Sequence, residues 1–313
     1  MAFLASYAKF HLTMTQRHRS ANPPHYKRSP LANILIYGVL GLWSLVCLFP
    51  LYWIVITSLK DESEIMHGPY YLPFGDFTPS LDAWVSILDY ANDHLILRFY
   101  NSVIVGVTST FLTVVLGGMA VYGLTRFSYS LPWIGLRNEG ILFAILASRI
   151  LPPVVIAIPL YVMAQYTGTL DTHFALIFAY TAANLPVAVW LLLPVFGNMA
   201  TPQEESAQLD GASRFEIFFT IFLPMVAAST AAMGLLIFIL CWNEYLFAAF
   251  LTSDKVSTLP PWVMGQMSIK EAAVGGDGDE WPQLSAAIIF MIVPLLACTG
   301  FAQRFLGRAF LVR

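Results

Sequence analysis

The chain has 313 residues, of which 58% are hydrophobic and only 11% charged, whereas soluble domains carry roughly 25% charge. Mean hydropathy is +0.68, and several apolar runs exceed the ~20 residues that cross ~30 Å of hydrocarbon, so the chain reads as an all-α integral membrane protein. The net charge of -3 comes with no basic stripe, which excludes nucleic acid as a partner and leaves the lipid bilayer as the solvent.

Residues 1–30 carry Lys9, Arg17, Arg19, Lys27 and Arg28 and read as a basic tail. The apolar run beginning at Leu31 is too long for the core of a signal peptide and is expected to remain as a membrane helix. Six spans are expected, at 31–59, 100–125, 140–166, 173–196, 217–250 and 283–303, so that 31–303 forms the membrane domain and 304–313 a short tail. The fifth is expected to start as an interfacial segment and to enter the bilayer after Pro224.

With six spans most cations sort to one side, and Lys60, Arg98, Lys255 and Lys270 fall on the other among a crowd of acids. Arg126 and Arg137 lie in the loop after the second span, Arg214 in the loop after the fourth, and Arg304, Arg308 and Arg313 in the tail. The opposite side holds acids, among them Asp61, Glu62, Glu64, Asp76, Asp82, Asp277 and Glu280. By the positive-inside rule both termini are cytoplasmic. The two outer loops, 60–98 and 251–282, mix prolines, aromatics and acids and are expected to be ordered caps. Trp84, Trp262 and Trp281 fit either anchoring at the outer interface or contact with an outer partner.

Cys47, Cys241 and Cys298 all fall inside apolar runs, with no spacing that suggests a disulfide or a metal site. Zinc-ligand clusters, a phosphate loop and a nucleophile–base constellation are likewise missing from the sequence. No metal site and no catalytic residue is therefore expected.

Between the fourth and fifth spans lies the polar segment EESAQLDGASRFEIFFTIFLP, Glu204 to Pro224. Thr201-Pro202-Gln203-Glu204 is a helix start: the Thr201 hydroxyl can cap the Glu204 amide while Glu204 reaches back, and Pro202 sits where its missing donor costs nothing. Gly211 is a natural stop. Ser213-Arg214-Phe215-Glu216 repeats the capping pattern, and Pro224 should break or bend the next helix. The product is helix, glycine turn, helix, across a loop of 197–222. It reads either as a well-capped amphipathic connector or as a rigid knob that exchanges motion with a soluble partner.

This segment resembles the signature loop of the permease subunits of bacterial ABC importers: Glu-Ala-Ala, three residues, Gly, nine residues, Ile, one residue, Leu-Pro. Here Glu205-Ser206-Ala207 precedes Gly211, Ile221 and Leu223-Pro224 at those spacings, with serine replacing one alanine. Asp210 and Ala212 match the carbohydrate branch. Asn101-Ser102, Pro159-Leu160-Tyr161, Leu185-Pro186 and Trp242-Asn243-Glu244-Tyr245 extend the likeness to the maltose-type inner-membrane permeases, in particular the smaller maltose subunit.

The resemblance implies a type I importer permease fold in the bacterial cytoplasmic membrane. It also implies import of a sugar or sugar-like solute by alternating access. The implied partners are a second permease forming a heterodimer, two ATP-binding subunits that hold ATP and Mg, and an extracytoplasmic solute-binding protein. Residues 202–213 would then be the helix that couples to the ATPase, with Glu205 and Gly211 central and Glu204, Ser206, Ala207, Asp210, Ala212, Phe215, Leu223 and Pro224 completing the element. One departure is the ending GRAFLVR, where family members usually continue into a short tail ending near Gly-Ala-Val-Lys-Gly. Contacts made by that tail in relatives are expected to be missing or replaced.

Polar groups within spans are costly unless they face a bundle interior or a cavity. Arg149, Tyr161, Gln165, Tyr180, Asn184, Trp242, Asn243 and Glu244 are the candidates for a solute path. Asn184 fits equally a helix–helix hydrogen bond, and Trp242 to Glu244 a motif that fixes a helix bend. Arg149, just before Pro152 and Pro153, fits bonding to carbonyls those prolines free, snorkelling, or attraction of an anionic solute. An ion-coupled secondary transporter is the competing function, although it gives the capped loop no task and would call for buried carboxylates. A non-transport membrane scaffold is a further alternative.

Overall fold

The computed structural model describes residues 30–89, 95–131, 135–197, 202–271 and 281–310. The chain divides into two compact units, Met1–Trp53 and Ile54–Arg313. Helix α1, Pro30–Thr57, supplies nearly all of the described first unit. It carries no charged residue and is largely apolar, and its Ser44 hydroxyl donates to the Leu40 carbonyl at 2.8 Å, which satisfies a polar group that lipid cannot.

The second unit opens with an ordered cap containing α2, Glu62–His67, and α3, Asp82–Asp89. Lys60 is buried here, donating to the Tyr70 carbonyl at 2.6 Å with its ammonium 5.2 Å from the Phe77 ring centre. Burial pulls the Lys60 pKa down, against the opposing pull of Glu64 and Asp76. The Asp76 carboxylate accepts the backbone N–H groups of Leu72 and Tyr71, and these bonds hold its pKa below the usual value. The outer loop expected to be ordered is so over residues 60–89; residues 90–94 and 272–280 lie outside the described residues.

Helix α4, Leu95–Arg126, is the longest element among the described residues. A two-residue antiparallel pair, β1 (Ser130–Leu131) with β2 (Leu136–Arg137), turns the chain into α5, Asn138–Ile150. The axis then bends by 91° into α6, Pro153–Thr167. Pro152 cannot donate to the preceding turn, and Pro153 takes the first helical position, where no donor is needed. A turn of five residues leads to α7, His173–Gly197.

The polar loop forms α8, Pro202–Leu209, and α9, Arg214–Met225, which contains a π-helical stretch at Ile217–Phe222. An 84° bend follows, into α10, Ala227–Trp242. Val226, at φ -99° and ψ 6°, carries that bend. The proline thus does break the helix, two residues after its own position. Short helix α11, Leu246–Leu251, then α12, Leu259–Glu271, and α13, Trp281–Phe310, complete the unit.

Four of these helices are long and apolar enough to cross a membrane, and six crossings result if each bent pair counts as one span. One expected boundary is corrected. The fifth span does not run to 250, because α10 ends at Trp242 with Asn243 as its cap, and α11 is a separate element.

Helices α4 and α7 form the centre and run in the same direction. Ser109 donates to the Ile177 carbonyl near one end, and Gly117 meets Ala188 farther along. A Cβ on Gly117 would lie 2.7 Å from the Ala188 Cβ, so glycine is what permits this approach. Helix α10 lies against α4 in the opposite sense, with Gly234 beside Val114 and Phe238 beside Gly106. The bundle therefore has two distinguishable ends: Arg126 and α8 mark one, Leu95 and the 251–259 loop the other.

Candidate functional site

At the Arg126 end, α8 closes with a full set of terminal bonds. The N–H of Gly211 donates to the Gln208 carbonyl at 3.1 Å, and that of Ala212 to the Ala207 carbonyl at 2.9 Å. This double closure requires a left-handed residue between them, and Gly211 takes it at φ +87°. Ser213 then caps α9, its hydroxyl accepting the Glu216 N–H at 3.2 Å. The expected helix–turn–helix is present from 202 onward, while the Thr201 cap lies outside the described residues.

Glu204 reaches beyond its own helix. It is only 3% exposed, and its carboxylate accepts two charge-assisted bonds from Arg126, from Nη2 at 2.8 Å and from Nε at 3.1 Å. The Tyr122 hydroxyl donates to the same carboxylate at 3.3 Å. The Arg126 guanidinium in turn lies 5.5 Å from the Phe222 ring centre. Tyr122 and Phe196 both meet Phe222 edge-on, at centroid distances of 5.0 and 4.5 Å. One arginine thus holds both arms of the loop, α8 through charge and α9 through a ring face.

The other loop residues face outward. Glu205, Ser206, Asp210, Gly211, Phe215 and Pro224 are exposed, Ala207, Ala212 and Leu223 are half-buried, and Leu209 is 90% exposed. A Glu-Glu doublet therefore splits its tasks by helical position: Glu204 points into the bundle and Glu205 away from it. Beside the loop, Arg214 covers the Phe127 ring at 5.4 Å, and Asn138 donates to the carbonyls of Leu124 and Phe127.

The eight intramembrane candidates separate into two sets. Tyr180, Asn184 and Trp242 are buried. Tyr180 donates to the Glu244 carbonyl at 3.3 Å, Asn184 to the Tyr180 carbonyl at 2.9 Å, and the Trp242 indole to the Met291 carbonyl at 3.1 Å. Glu244 accepts the N–H groups of Phe247 and Ala248 and so starts α11, while Asn243 donates back to the Ile239 carbonyl at 2.8 Å. Trp242 to Glu244 fix a helix break. Arg149, Tyr161, Gln165 and Asn243 are exposed. Tyr161 and Gln165, one turn apart, share a face of α6. Arg149 donates to the Ala183 carbonyl of α7 at 3.0 Å, not to carbonyls freed by Pro152 or Pro153, and borders a cavity of ≈60 Å³.

The opposite end contains a second polar assembly that the sequence reading did not single out. Asp171, left-handed at φ 55°, accepts the backbone N–H groups of Ser253, Lys255 and Val256 at 3.1–3.2 Å and the Ser253 hydroxyl at 3.1 Å. Burial pushes its pKa up, but the bonds from Lys255, Ser253 and Val256 outweigh it, and the net displacement is downward. Asn101 donates to the carbonyls of Lys255 and Ser257 at 3.1 Å, Arg98 to that of Asp254, and Ser102 accepts the Leu259 N–H at 2.8 Å. His173 bonds the Asn101 side-chain oxygen at 3.0 Å. Among the described residues no group of three or more His, Cys, Asp or Glu is placed to hold a metal.

Residues 133–312 match the family described as binding-protein-dependent transport system inner membrane component. A diacetylchitobiose uptake system permease, NgcG of Streptomyces coelicolor, is 32% identical over 86% of this chain and 84% of its own length. A trehalose/maltose transport system permease, MalG of Thermococcus litoralis, is 27% identical over 87% of this chain and 92% of its own. A solved bacterial ABC transporter involved in import of the acidic polysaccharide alginate superposes with a TM-score of 0.68, covering 90% of this chain and 99% of its own at 20% identity. That last likeness establishes the fold: nearly all-helical, of the importer permease type. The family match spans more than half the chain, and with the apolar helices it makes this protein a multi-pass member of the binding-protein-dependent transport system inner membrane component family, the transmembrane subunit of a solute importer.

Proposed function

We propose that the chain is one transmembrane half of an ATP-driven importer for a sugar or sugar-like solute. The observation that carries this reading is the geometry of the signature segment: a doubly capped helix, pinned through Glu204, with Glu205, Ser206 and Leu209 exposed on its other faces. A helix held this way suits docking into an ATP-hydrolysing subunit better than a passive connector does, because a connector needs neither cap nor anchor. The names of the relatives, uptake systems for diacetylchitobiose and for trehalose or maltose, support the carbohydrate class.

In this reading α8 and the α9 start, with Glu205 and Gly211 central, lie in the cytoplasm together with both termini. Residues 31–303 form six spans, counting each bent pair as one. The partners are a second, different permease subunit, two copies of an ATPase that binds ATP and Mg, and an outer solute-binding protein. This subunit hydrolyses nothing itself. ATP binding closes the ATPase pair, the loop carries that motion inward, the cavity opens outward to receive solute, and hydrolysis resets it. The exposed Tyr161 and Gln165 on α6, with the equally exposed Arg149 and Asn243, are the candidate solute lining, whereas Tyr180, Asn184, Trp242 and Glu244 are buried or half-buried in internal bonds.

The test is reconstitution of the complete complex with its binding protein in proteoliposomes. ATP hydrolysis and uptake are followed against a panel of neutral sugars, polyols and anionic sugar derivatives. Stimulation of both by one class establishes coupled import and the substrate class. Uptake that follows an ion gradient and ignores ATP sinks the reading. Arg149→Gln sharpens it: loss of competition by anionic members alone assigns Arg149 to selectivity, and equal change for neutral and anionic members removes it from that role.

A further inference from the structure

Helix α4 carries a polar joint at each of its ends. At its last turn Arg126 and Tyr122 hold Glu204 of α8. At its first turns Arg98, Asn101 and Ser102 bond the backbone of residues 254–259. A helix of this length spans about 48 Å at 1.5 Å per residue. It is uninterrupted, contains no proline, and lies against α7 without a side chain at Gly117. By contrast α7 carries Pro186 and Pro194, and the α9–α10 path is broken by 84°.

We propose that α4 is a rigid rod linking the loop helix to the 253–259 segment at the opposite end, with Arg126 and Glu204 as its input joint and Asn101, Arg98 and Ser102 as its output. The proposal rests on the docking of α8 to an ATPase subunit and goes further by naming the path. Glu204 and Arg126 are positioning residues: they touch neither nucleotide nor solute but fix α8 to the rod. The ion pair suits this task because both members are largely removed from water and the guanidinium fork constrains direction as well as distance. The output suits it because α4 grips main-chain atoms, so the segment follows the rod whatever side chains it carries. A named element engaged at both ends supplies a physical route between them.

The experiment places an environment-sensitive fluorophore at Gln203→Cys on α8 or at Lys255→Cys in the far segment, in a full chain with Cys47 and Cys298 replaced by alanine. The chain is purified with its partner subunits and exposed to Mg-ATP with vanadate. Both probes are expected to shift when Glu204 is intact. In Glu204→Gln the Gln203 probe keeps its shift and the Lys255 probe loses at least tenfold of it. Where Glu204→Gln does not assemble, Glu204→Asp keeps the charge, shortens the reach and is expected to reduce the Lys255 shift selectively. A full Lys255 shift in either variant overturns the rod. No shift of the Gln203 probe in the unaltered complex overturns the docking reading instead, so the two failures are distinct.

Discussion

The two ends of α4 solve the same attachment problem with different chemistry. At Arg126 two side chains meet as a buried ion pair, covered by Tyr122 and Phe222. At Asn101 and Asp171 side chains bond to main-chain atoms of the segment they hold. The first kind of joint depends on the identity of both partners. The second depends almost only on the residue that grips, because any residue at the gripped position supplies the same carbonyl, and any but proline the same N–H. Substitution should therefore be costly on both sides of the first joint and on one side of the second.

The largest effect is expected at Glu204→Gln, which leaves Arg126 buried without its counter-charge. Breaking such a pair costs about 3–5 kcal/mol, read as a lower unfolding midpoint of the purified complex. Next comes Asn101→Ala, which orphans the carbonyls of Lys255 and Ser257 and the His173 contact, at a cost of about 2–3 kcal/mol. Gly211→Ala follows, since an L-residue at φ +87° costs about 1–2 kcal/mol. It should also weaken ATP-dependent uptake more than stability, because the turn orients the exposed face of α8; unchanged uptake would refute the knob.

Asp171→Asn should cost about 1 kcal/mol, the bonds being partly solvent-exposed and one acceptor oxygen surviving. Because bonding holds the Asp171 carboxyl below its ordinary pKa, its contribution is complete above the ordinary carboxylate value and lost as pH falls through the depressed one. The stability gap between the native protein and Asp171→Asn should therefore close in acid. The smallest effect is expected at Asp254→Ala, within about 0.5 kcal/mol, because Arg98 takes the backbone carbonyl there. A cost like that of Asn101→Ala would erase the proposed difference between the joints.

Much of this was legible in the sequence, and what was not shares a cause. Apolar runs located the crossing helices, and the double proline located the break between α5 and α6. Gly211 and Ser213 announced their bonds, because helix caps are local and their residue preferences follow from nearby backbone geometry. The bond from Arg126 to Glu204 was not legible because the two lie far apart in sequence, Arg126 in the last turn of α4, where it counted only as a topological charge. The Glu-Glu doublet was the available signal, since neighbours on a helix point about 100° apart and cannot share one environment. Asp171 is not singled out by the sequence, because its four bonds converge from a segment that no spacing rule connects to it. Trp242 to Glu244 stood as either solute lining or helix break, and the hydrogen bonds that favour the break, from Trp242 to Met291 and from Phe247 and Ala248 to Glu244, follow from no local spacing, while Asn243 stays exposed.

The uninterrupted course of α4 also sets a phase. Asn101 and Arg126 lie about seven turns apart at 3.6 residues per turn, so both project from nearly the same side of the helix. One residue inserted near the middle would turn the far end by about 100° and leave one of the two joints facing away from its partner. Seven inserted residues would restore the facing to within about 20° while lengthening the helix by about 10 Å. Angle and length can thus be varied separately in this element, and a membrane helix becomes a shaft whose timing is written in its residue count.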